Sequence, residues 1–166
     1  MKRKLIASLL ALALFISPLF VTGCSKRDNS IAPDFTIRVV GGGGEEWYDK
    51  IITLSKLRGR PVVIHFTASW CNICKHIFHT LKSYDNKNVF VMGIGVLDRK
   101  KNIIDYVMAQ RFPVPVGYDE GGIITGEYHV NTLPLTVFID KEGRITEKVM
   151  GMVSDETLEE AIKKIL

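Results

Sequence analysis

The sequence predicts an α/β fold, a central mixed β-sheet flanked by α-helices. Three observations carry this. Val62-Val63-Ile64-His65-Phe66 is a continuous apolar run with one polar member, the pattern of a central strand covered on both faces. Strand-like and helix-like segments alternate after it, and alternation of this kind builds sheets with a parallel part. The chain closes on a hairpin pattern and an amphipathic helix.

The elements follow in order. Residues 35–40 read as a strand. Gly41 to Gly44 then interrupts it, and four consecutive glycines favour a flexible turn. No Gly-Lys-Ser/Thr follows, so this is not a phosphate loop. Residues 51–54 form a weaker strand, and Arg58-Gly59-Arg60-Pro61 a turn. The central strand leads into a helix over 71–84. Residues 89–96 make a second buried strand and 102–111 a second helix. Residues 135–140 and 144–150 pair as a hairpin around Lys141-Glu142-Gly143. Ser154 can cap the last helix, with Asp155 and Glu156 in its first turn and Lys163 and Lys164 near its end. Leu158, Ala161, Ile162, Ile165 and Leu166 fall on one stripe of it.

The first 23 residues are expected to lie outside the fold. Lys2, Arg3 and Lys4 precede an apolar run from Leu5 to Ile16 broken only by Ser8, and Pro18 and small residues follow. This is the layout of a secretory signal peptide, too short for a comfortable transmembrane helix of about 20 residues. An uncleaved anchor helix is the alternative. The segment ends Val21-Thr22-Gly23-Cys24, which resembles the lipobox of bacterial lipoproteins. The resemblance implies lipidation of Cys24, with residues 24–30 as a polar tether and 31–166 as the domain. A thioether lipid together with an acylated amine would anchor stably, where one chain alone is marginal. The alternative is that Cys24 is an incidental free thiol.

Charge and cysteine count then take on a different meaning. The 166 residues carry 22 Lys+Arg and 18 Asp+Glu, a net +4. Residues 1–23 hold three of the basic side chains and no acidic one, which leaves 19 against 18. No basic run with interleaved aromatics remains, so a nucleic-acid partner is not expected. The three cysteines divide into Cys24 and the pair Cys71 and Cys74.

Trp70-Cys71-Asn72-Ile73-Cys74 lies where the central strand gives way to a helix. Unpaired amides and the helix dipole favour a thiolate on Cys71. Cys74, a turn later, falls on the buried side. The first thiol can attack a partner disulfide and the second can resolve the mixed disulfide. An exported domain is also where such a pair can cycle through an oxidised form. Other readings compete. A structural disulfide closing so short a ring would stabilise little. A four-cysteine zinc site lacks its second pair. A metal site with His76 and His79 needs convergence, yet on a helical wheel His76 projects nearly opposite Cys74 and His79 lies to one flank. No metal or organic cofactor is expected.

Val62 to Lys75, VVIHFTASWCNICK, resembles the active-site strand and helix of the thioredoxin fold. The wider pattern is similar to the TlpA/ResA-type family of membrane-tethered thiol–disulfide oxidoreductases. It comprises Ala32-Pro33-Asp34-Phe35, Gly59-Arg60-Pro61, Trp70, the run from Asn131 to Asp140 containing Leu133-Pro134, and Gly143. The resemblance implies a thioredoxin-like domain with an N-terminal strand extension. It implies a cis-proline at Pro134, with Trp70, Leu133 and Pro134 shaping a client-docking surface. It also implies reduction of client protein disulfides, recharging by a membrane electron donor, and a place in cytochrome c maturation or general thiol maintenance.

Three departures matter. Asn72-Ile73 stands where the family usually has proline second, so the redox potential does not carry over. Ile77 stands where a glutamate is often found. His65 occupies the position of the buried aspartate of cytoplasmic thioredoxins; it is a candidate proton relay to Cys74 or a hydrogen-bonded core histidine.

Two rival functions use the same fold. Peroxiredoxins carry Thr-x-x-Cys, but the residue three before Cys71 is Ala68. Copper-delivery proteins of the Sco group resemble Cys-x-x-x-Cys with a distant histidine; the spacing here is one residue short, and His129 is the candidate ligand.

Overall fold

The computed structural model describes residues 30–85 and 88–166. The signal segment, Cys24 and most of the expected tether lie outside the described residues.

Seven strands form one mixed sheet in the order β2-β1-β5-β4-β3-β6-β7. They are β1 (Thr36–Gly41), β2 (Ile51–Thr53), β3 (Val62–Thr67), β4 (Phe90–Gly95), β5 (Val116–Tyr118), β6 (Leu135–Ile139) and β7 (Ile145–Met150). The helices are α1 (Cys74–Asp85), α2 (Lys100–Gln110), α3 (Ile123–Glu127) and α4 (Asp155–Ile165). β3 lies parallel to β4 and antiparallel to β6. β1 and β2 extend the sheet at its far edge.

Every residue of β3 is buried, which its continuous apolar run anticipates. Its side chains alternate between two cores. Val62, Ile64 and Phe66 join Phe35, Met92, Ile94 and Tyr128 on one face. Val63 joins the apolar faces of α1, α2 and α4 on the other. Close approach of α1 and α2 depends on two glycines in β4. A Cβ on Gly93 would meet the Phe78 ring at 2.7 Å, and one on Gly95 would meet Ile103 Cγ2 at 2.5 Å. α4 begins at the expected cap, where the Ser154 hydroxyl accepts the Thr157 amide at 3.2 Å.

The structure departs from the sequence reading in three places. β5 and α3 were not expected. β5 is three residues long, and Pro113 and Pro115 beside it read as loop; α3 has five residues, one of them Gly126. Short elements like these carry too little periodicity to register. Second, the first helix begins at Cys74, not Cys71. Amides of Cys71, Cys74 and His76 bond the carbonyls three residues back, at 3.0, 3.2 and 3.2 Å, so tight turns precede it. Third, Gly41 ends β1, and only Gly42, Gly43 and Gly44 adopt positive φ. That turn is packed against Val114 and Pro115, where Trp47 also folds back over the Phe90 ring.

Candidate active site

β3 ends at Thr67, and α1 carries the chain away from this C-terminal end of the strand. The cysteine pair occupies the turn between them. Cys71 and Cys74 are joined by a disulfide, with their Cα atoms 5.5 Å apart. Cys71 keeps 6% of its surface exposed, whereas Cys74 has none. The two cysteines are therefore inequivalent: Cys71 keeps a small exposed fraction, and the Cys74 sulfur sits 4.0 Å from the Phe66 carbonyl in the interior. Cys71 lies one turn ahead of α1, and its carbonyl accepts the Cys74 amide.

Leu133 packs against the pair and Ala68. The Leu133–Pro134 peptide bond is cis. The Pro134 carbonyl accepts the Gly151 amide at 2.8 Å, which ties the proline to the end of β7. Trp70 is 59% exposed, and its indole N–H points to the Leu97 carbonyl at 3.4 Å. The structure thus brings Trp70, Leu133 and Pro134 into one neighbourhood with the cysteines.

The sequence reading missed further residues there. Leu97 is exposed and holds a left-handed backbone, φ 54. Met150 pairs with Leu135, and Met150 and Met152 flank Gly151, both largely exposed. Met150 ends a strand that the sequence does place and Met152 lies just past it, but only the Pro134–Gly151 bond shows that this end meets the cis-proline. Ile73, between the cysteines, is also exposed.

His65 lies beneath this site, fully buried in β3. Its Nδ1 is 2.9 Å from Thr136 Oγ1, while Nε2 has no hydrogen-bond partner. The ring packs edge-to-face with Phe78, 4.6 Å between centroids. Burial pushes its pKa down to about 3, opposed only by the Cys74 backbone. The imidazole is therefore neutral at physiological pH.

Ile77, at the position where a glutamate would assist proton transfer, is buried among apolar neighbours. His76 and His79 are both exposed on α1, and His129 is exposed beyond α3. Among the described residues no three His, Cys, Asp or Glu side chains converge, so none of these histidines joins the cysteines in a ligand cluster. No helix of the described residues is long and apolar enough to cross a membrane.

Comparison with known proteins agrees with this geometry. Residues 29–148 match the model of the AhpC/TSA family. The thiol-disulfide oxidoreductase ResA of Oceanobacillus iheyensis is 31% identical over 147 residues, spanning 81% of this chain and 73% of the relative. ResA of Bacillus cereus is 29% identical over 138 residues, spanning 81% and 76%. Among solved structures, the exposed lipoprotein thioredoxin of Streptococcus pneumoniae superposes with a TM-score of 0.66 at 22% identity, covering 80% of this chain and 99% of that one; at that identity the likeness concerns the fold. Relatives of this kind act on protein thiols and disulfides through their own cysteine pair. The chain belongs to the AhpC/TSA family and, within it, to the thioredoxin-fold thiol–disulfide oxidoreductases of the TlpA/ResA type.

Proposed function

We propose that Cys71 and Cys74 are the redox couple of a lipid-anchored, extracytoplasmic reductase of client protein disulfides. One observation carries the assignment: a disulfide in which Cys71 is slightly exposed and Cys74 fully buried, packed against Leu133 of the cis Leu133–Pro134 bond. In the reduced protein the Cys71 thiolate attacks a client disulfide. A Cys71–client disulfide forms and the first client sulfur leaves, taking a proton. Cys74, as thiolate, then attacks the Cys71 sulfur. The second client thiol is released and the Cys71–Cys74 disulfide is restored. Two electrons pass to the client, and a membrane electron donor returns them.

Trp70, Leu133 and Pro134 form the docking surface, widened by Leu97, Met150 and Met152. Methionine suits such a surface because its flexible thioether adapts to varied apolar partners. Cys74→Ser tests the order of attack. The variant, reduced and mixed with oxidised client, is expected to accumulate a covalent complex that dithiothreitol dissolves. Trapping by Cys71→Ser and not by Cys74→Ser would reverse the roles of the two thiols, and equal trapping would remove the fixed order of attack.

The anchor is supported by the sequence around Cys24, Val-Thr-Gly-Cys after an apolar run. Expressed in a bacterium fed radiolabelled palmitate, the full chain is expected to take up label, and Cys24→Ser is not. Equal labelling of both would remove the anchor.

A further inference from the structure

The turn that carries Cys71 is tied at alternate residues to the segment after β4 and to α2. The Val96 amide donates to the Thr67 carbonyl at 2.9 Å. Asp98 Oδ2 accepts the Ser69 amide at 2.9 Å. The Tyr106 hydroxyl donates to the Cys71 carbonyl at 3.3 Å. The last two ties come from side chains, across 29 and 35 residues of sequence.

Both side chains are themselves held. Asp98 Oδ1 accepts the Arg99 amide at 2.7 Å and the Asn102 side-chain amide at 2.9 Å, and the Tyr118 hydroxyl donates to the Asp98 carbonyl at 2.9 Å. The Tyr106 ring stands edge-on to Phe112, 5.1 Å between centroids, and Phe112 in turn packs on Phe78 of α1. Burial keeps the Tyr106 hydroxyl protonated, as a donor must be. The Cys71 carbonyl thus has two donors, the Cys74 amide and Tyr106.

We propose that Tyr106 is a positioning residue that selectively stabilises the oxidised form of the Cys71–Cys74 pair by pinning the Cys71 backbone, with Asp98 as the second pin. Reduction adds two electrons and two protons, breaks the S–S bond, and moves the sulfurs out to nonbonded separation. A backbone held from both sides yields to that movement less readily than a free one. The pinned turn therefore favours the disulfide, and the loss of a pin favours the dithiol. Tyr106→Phe removes the hydroxyl and keeps the ring on Phe112.

This rests on Cys71–Cys74 being the redox couple. Oxidised protein is equilibrated with graded glutathione and dithiothreitol buffers, and its dithiol fraction is read by thiol alkylation. Tyr106→Phe is expected to shift the equilibrium about fivefold toward the dithiol, or about 20 mV toward a more oxidising couple at roughly 30 mV per tenfold. Asp98→Asn is expected to shift it in the same direction. A purely structural role would lower the stability of oxidised and reduced protein alike and leave the potential in place. An unmoved potential in Tyr106→Phe overturns the assignment of Tyr106 while the couple stands. A wild-type pair that neither glutathione nor dithiothreitol buffers interconvert overturns the couple as well.

Discussion

Cys71→Ser is expected to reduce insulin-disulfide reduction to the background rate of dithiothreitol alone, with the fold intact. The expectation follows from the unequal burial of the pair. Cys74 has no exposed surface, so its sulfur cannot approach a disulfide on another protein. Cys71 retains 6%, beside the exposed Trp70. A serine hydroxyl in its place neither ionises near neutral pH nor forms a stable bond to sulfur. The loss of the disulfide should cost little stability, because the ring it closes is short. Far-UV circular dichroism should therefore match the wild type while turnover vanishes. The same asymmetry predicts which thiol alkylates first: brief iodoacetamide treatment of the reduced protein should label Cys71 well ahead of Cys74. Wild-type turnover by Cys71→Ser would remove Cys71 from the nucleophile's role.

The parts of this site differ in how far the sequence reveals them. β3, the cysteine spacing and α4 are legible because each carries a local pattern: an unbroken apolar run, two thiols three apart, and a stripe with charged ends. The start of α1 is less legible. Turns bonded three residues back and a helix bonded four back use the same residues, and the disulfide settles the geometry between them. β5 is illegible by itself. Val116-Gly117-Tyr118 becomes a strand because β4 and β1 flank it, and because Gly117 leaves room for Ile37, whose Cδ1 would lie 2.6 Å from an added Cβ. The ties of Asp98 and Tyr106 to the cysteine turn are of this kind too. Nothing near Tyr106 in the sequence points to Cys71; the contact exists only because α2 folds back over the end of β4. His65 falls between these cases. Its position is legible, but its protonation depends on what surrounds it.

That protonation predicts the acid sensitivity of the fold. The folded His65 pKa is about 3, against about 6.5 in an unfolded chain. Between those values the unfolded state binds the extra proton and the folded state does not. Stability therefore rises with pH across that window and is lost as pH falls through it, by up to about 1.4 kcal/mol per pH unit. Between pH 7 and pH 4.5 this amounts to roughly 2–3 kcal/mol. The lowered carboxyls do not confuse the measurement. Hydrogen bonding to Ser55 lowers the Asp34 carboxyl against a smaller effect of burial; burial raises that of Asp98, but hydrogen bonds with Ser69, Asn102 and Arg99 together outweigh it and leave it lowered. A depressed carboxyl contributes its stability above its unfolded pKa and loses it below, so their loss falls under about pH 4. Urea unfolding at pH 7, 6, 5 and 4.5 isolates the histidine. His65→Gln, neutral throughout, is expected to be less stable at pH 7 and to show a much flatter profile down to pH 4.5. Parallel slopes in the two proteins would mean that His65 takes up a proton in the folded state. The result also bears on the relay. A ring with a pKa near 3 lies more than about five units below an ordinary thiol and holds a proton poorly, so a steep wild-type slope would leave Cys74 to exchange its proton by another route. A flat wild-type slope would instead restore His65 as a proton acceptor in the core.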